Sequence, residues 1–132
     1  MSEDDRARDV LPPGAHVVRA GIMNLDDLRD NADSHRDKAV ARGRGEEWAL
    51  SVNSVAGESV EEIAKRAKRP NPRVCVSTVG EIESLDCVSE VRPDPRPDGH
   101  ANIVFVGEPA DEDLVAVKGV FSDPVLNPGR SK

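Results

Sequence analysis

Five residues have the types and positions to do chemistry: Arg19, Asn53, Ser77, Thr78 and Glu108. They supply a cation, an amide, two hydroxyls and a carboxylate, and each closes a short run expected to be a β-strand. In open α/β sheets, ligands bind beyond the carboxyl ends of the strands. If the strands run parallel, the five residues converge on one edge and form a small polar site. Arg19 would then bind an anionic group and Glu108 would act as acid or base. The same residue types also turn and cap chain ends in any fold.

The order of three of these features resembles that of some ADP-ribosyltransferases. Those enzymes carry an Arg on the first strand, a Ser-Thr-Ser on a later strand and a catalytic Glu near the end. Arg19, Ser77-Thr78 and Glu108 occur in that order. The resemblance implies a nucleotide-type substrate at the sheet edge. Val79 stands where the third hydroxyl belongs, and the chain has no Tyr to stack on a nicotinamide.

Other chemistry has weaker support. Gly80 and the free N–H groups of a helix starting there could face a phosphate, but Glu81 would take the same N–H groups and repel it. Gly43-Arg44-Gly45 follows a helix rather than joining strand to helix, so it is not a dinucleotide fingerprint. His35 falls on the apolar face of a helix, as a hydrogen-bonded core residue does. His16 and His100 each start a strand and would be neighbours if those strands pair. Neither has a Cys or carboxylate at zinc-ligand spacing. Cys75 and Cys87 lie in apolar runs, where free buried cysteine is the ordinary case and nothing lowers a thiol pKa. No metal and no cofactor is expected.

The elements that must position these residues follow from local pattern. Arg73 to Ser77 is β-branched and bounded by prolines, which predicts a strand. Val79, Ile82 and Leu85 then recur at helical spacing. Thr78 can accept from the Glu81 N–H while Glu81 reaches back, a cap worth about 1 kcal/mol. Ala15 to Arg19 predicts the first strand and Asn24 caps a helix running to near Val40. Trp48, Leu50 and Val52 alternate along a second strand. Ser59 and Glu62 form another capping box, before a short helix with Val60, Ile63, Ala64 and Ala67 on its apolar side. Cys87 to Val91 predicts a fourth strand. Asn102 to Val106, apolar on both faces, predicts a central fifth strand. Between them lies a proline-rich loop, residues 92–99, long enough to let these two pair antiparallel. A last helix covers about 111–121.

The order is therefore β-α-β-α-β-α-β-β-α. That predicts an α/β (or α+β) fold: a small, mostly parallel or mixed sheet of four to five strands with about four helices. The expected organisation is a flexible N-terminal arm (1–14), one domain (15–122) and a loose C-terminal tail (123–132).

Composition bounds the partners. Of 132 residues, 31 are Val, Leu, Ile or Phe, just above the roughly one-fifth below which disorder is expected. The core must be thin and largely valine. A net charge of −7 argues against nucleic acid and against an anionic membrane. A basic strip does occur at Lys65, Arg66, Lys68, Arg69 and Arg73, and suits a helix C-terminus. No opening apolar segment resembles a signal peptide and no run approaches a membrane span, so a cytoplasmic protein is expected. With no catalytic constellation intact, the first expectation is a non-enzymatic interaction or regulatory protein, antitoxin- or immunity-like, bound to a protein partner. The alternatives are a small enzyme or nucleotide-binding protein at the sheet edge, and a self-associating subunit of a larger assembly.

Overall fold

Helix starts are set by side chains that close the first turn. The computed structural model describes residues 10–66, 71–94 and 99–129. Helix α1 (Leu25–Ala41) follows Asn24, whose side-chain oxygen accepts from the Asp27 N–H at 2.8 Å. Helix α2 (Val60–Arg66) follows Ser59, which exchanges both capping-box hydrogen bonds with Glu62, at 3.1 and 3.2 Å. Helix α3 (Val79–Glu83) follows Thr78, which accepts from the Glu81 N–H at 3.3 Å. Its two foremost N–H groups go to backbone instead: Val79 donates to Ala15 and Gly80 to Pro13. Helix α4 (Asp111–Gly119) begins with the Asp113 carboxylate accepting from the Ala110 N–H.

Six strands form one sheet: β1 (His16–Ala20), β2 (Ala49–Asn53), β3 (Arg73–Thr78), β4 (Val88–Pro93), β5 (His100–Phe105) and β6 (Val125–Leu126). Their order is β4-β5-β2-β1-β3-β6, and every neighbouring pair is antiparallel. This corrects the expectation of a mostly parallel sheet of four to five strands; the fold is α+β. The physical reason lies in which strands become neighbours. Helices α2, α3 and α4 each return the chain to a strand of the same direction, as the alternating pattern implies. In each case, however, an opposed strand intervenes: β1, for example, lies between β2 and β3. The β4–β5 hairpin pairs antiparallel as expected.

Strand β6 lies inside the span read as a loose tail. The Asn127 side chain, buried, donates to the Asn71 carbonyl at 2.8 Å and holds this strand against β3. Strands β1 and β5 are not neighbours, so His16 and His100 are not a cross-strand pair. Of the basic strip, Lys68 and Arg69 lie outside the described residues, as do residues 95–98 of the proline-rich loop, Ala67 and most of the N-terminal arm.

The main core joins Leu50 and Val52 of β2 and Ile103 of β5 to Leu28 of α1 and to Leu114 and Val117 of α4. A second cluster packs Ile63 and Ala64 of α2 on Val18 and Val74. Each fully buried large aliphatic side chain contributes about 2 kcal/mol.

Candidate functional site

The five sequence-derived residues do not share an edge, because antiparallel strands put alternate carboxyl ends at opposite ends of the sheet. Arg19 and Glu108 belong to one end; Asn53, Ser77 and Thr78 belong to the other. Thr78 caps α3. The Ser77 hydroxyl donates to the Val120 carbonyl at 2.7 Å. Asn53 sits opposite Val18 and His100. Glu108 is exposed beside Arg29 and Asp33. The ADP-ribosyltransferase-like order is therefore not gathered into one place.

Arg19 has a structural task of its own. Strands β1 and β2 pair at Val18 and Asn53. One step beyond, side chains replace the ladder. Asn31 of α1 accepts from the Ser51 N–H at 2.9 Å, Arg19 donates to the Ser51 carbonyl at 2.7 Å, and Arg19 donates to Asn31 at 2.9 Å. Burial pushes the Arg19 guanidinium pKa down.

The polar site lies elsewhere. A groove of about 430 Å³ opens between α1 and the β4-β5-β2 part of the sheet. Its floor is set by register: Arg92 is opposite Asn102, and Asn102 is opposite Ser51. Directly opposed residues share a face, so the three side chains form one row across three strands. Asn31, Ser34 and His35 of α1 line one wall, and His100 and Asp94 close one end.

Three further cations stand on the rim. Lys38 and Arg42 are four residues apart, on one side of the α1 end. Gly43 then takes φ +75°, donating to the Val40 carbonyl, while Arg44 donates to the Ala39 carbonyl. This glycine-terminated helix ending folds the chain back and sets Arg44 beside the same groove. Among the described residues, Lys38, Arg42 and Arg44 form no side-chain ion pair. Arg92 is different: two of its nitrogens meet Glu47, at 2.6 and 3.2 Å. Hydrogen bonds from Arg92 hold the Glu47 carboxyl at about 2. Glu47 also bonds His35 Nε2 at 2.9 Å, and Asp94 bonds His100 Nδ1 at 2.5 Å.

The sequence places Gly43-Arg44-Gly45 after a helix but does not mark it as a groove wall. The helical spacing from Lys38 was the available signal. Asn102, Ser51 and Arg92 carried none, since only strand register brings them together.

Cys75 is buried and Cys87 half-buried, and neither is bonded to the other. Burial raises the Cys87 thiol pKa. Among the described residues there is no group of three His, Cys, Asp or Glu side chains fit to hold a metal, and no helix is long and apolar enough to cross a membrane. Comparison with protein-family models, with curated proteins and with solved structures finds no match.

Proposed function

We propose that this chain is a small accessory or regulatory binding protein that holds an anionic group in the groove between α1 and the β4-β5-β2 face. One observation carries the reading: a chain of net charge −7 gathers Lys38, Arg42 and Arg44, unpaired, around a polar cleft. Cations with no local partner in a concave site favour an anion brought from outside. Among the described residues, neither Ser34 nor Ser51 of the lining gives its hydroxyl to a histidine or a carboxylate, which supports binding over catalysis. Thermal unfolding with millimolar inorganic phosphate, sulfate or succinate, against matched chloride, tests this. A rise in Tm that disappears in the double variant Arg42→Glu/Arg44→Glu supports it. No rise with any of the three anions sinks it.

A protein partner or a second copy has its own support at the far edge of the sheet. Strand β6 leaves Leu126 73% exposed, and Ile22, 63% exposed, lies near Pro124 beside it. An open, apolar strand edge is suited to pairing with another chain. Sedimentation of Leu126→Lys beside the parent protein tests this. Association that the lysine abolishes supports it, and a monomer at every concentration removes self-association.

A further inference from the structure

Asn102 is the least expected residue in the groove. It is only 6% exposed, and no described residue hydrogen-bonds its side-chain amide, whose polar atoms keep solvent contact through the groove. An amide with no protein partner is solvated from its one open side, the groove that it lines, and a ligand there can take over those hydrogen bonds. An amide in that position awaits a group bearing both acceptors and donors. The charge around it sets the rest. Arg92 is engaged by Glu47 and, at 3.7 Å, by Glu90, and Asp94 bonds His100, whereas Lys38, Arg42 and Arg44 line the same groove with no ion pair among the described residues. Those three cations are left to an incoming anion. A phosphate monoester carries nearly two negative charges at neutral pH, and guanidinium forks match its oxygens.

Resting on the anion-groove reading above, we propose that the ligand is a small molecule bearing a phosphate monoester. Its phosphate lies against Arg42, Arg44 and Lys38, and its polar body is held by Asn102 and Ser51 on the floor. The cleft volume of about 430 Å³ is within the range of small-ligand sites. A single carboxylate carries half that charge, and succinate spreads its two charges over separate carboxylates that cannot share one set of forks.

The test is amide-resolved NMR titration of the full chain with four probes: AMP, adenosine, inorganic phosphate and succinate. AMP is expected to shift the Asn102 side-chain NH₂ and the backbone of residues 38–44, more tightly than inorganic phosphate and at least tenfold more tightly than succinate. Adenosine is expected to leave the rim unmoved. Asn102→Ala should weaken AMP about tenfold while leaving inorganic phosphate nearly unchanged. Arg44→Glu, at an exposed site that does not threaten folding, should weaken both. Succinate binding as tightly as AMP overturns the phosphate class but leaves an anion groove. AMP bound no more tightly than inorganic phosphate overturns the small-molecule body and the role of Asn102. Silence from all charged probes overturns the groove reading itself.

Discussion

The guanidinium of Arg92 on β4 grips the carboxylate of Glu47, just ahead of β2, through two nitrogens at 2.6 and 3.2 Å. These strands are not neighbours; β5 lies between them. The pair therefore spans a strand, and it also removes most of Arg92's charge from the groove.

That grip makes stability fall in acid. The folded Glu47 carboxyl titrates at about 2, below its ordinary 4.5, so its contribution is full above about pH 5 and is lost as pH falls towards 2. The carboxylate is partly solvated, so the contribution is about 1 kcal/mol. Denaturant unfolding at pH 6 and pH 3 should show a little over half that much less pH dependence in Glu47→Gln than in the parent.

The same substitution should act oppositely on binding. With Glu47 neutral, the Arg92 charge is no longer compensated, and anion affinity at pH 7 should rise about threefold. A variant that loses stability but gains affinity separates the two roles of Arg92.

Removing the acceptor between β1 and β2 should be costly. Asn31→Ala strands the Ser51 N–H and takes from Arg19 Nη1 one of its two acceptors, the Ser51 carbonyl remaining, an expected loss of about 2 kcal/mol. Ser34→Ala, on the same helix, should cost a few tenths. Equal losses in the two variants would contradict the bridging role.

Gly99 precedes β5 with φ +72°, and a Cβ there would lie 2.7 Å from Val55 Cγ2. Gly99→Ala combines a left-handed backbone with this clash, an expected loss of about 2 kcal/mol and a Tm lower by about 5 to 10 °C. Gly107→Ala, where a Cβ meets nothing within 4 Å, is the control and should melt within about 2 °C of the parent.

What was legible in the sequence was what depends on neighbours in the chain. Asn24, Ser59 and Thr78 announce their helices because a cap is made within three residues. Strand partners are chosen across the whole chain, so the alternation of strands and helices told the direction of β3 relative to β2 but not that β1 separates them. Two-residue β6 has no periodicity to detect, and its place rests on Asn127 reaching Asn71. The groove divides the same way. Its Lys38–Arg44 rim is local and visible as a basic helix end, whereas the Arg92-Asn102-Ser51 row exists only once register is known.

Because β1 meets β2 at a single backbone position, Val18 with Asn53, the sheet is two three-stranded halves stitched by one rung, the Arg19-Asn31-Ser51 clasp and the Ser54 hydroxyl on the His16 carbonyl. The groove floor belongs wholly to one half, β4-β5-β2, and the exposed β6 edge wholly to the other. The shared core, in which Val17 and Cys75 pack in one cluster with Leu50 and Ile103, is what keeps the halves together. The Ser51 amide, held by Asn31 rather than by a strand, ties that seam to α1 and to the groove floor at once.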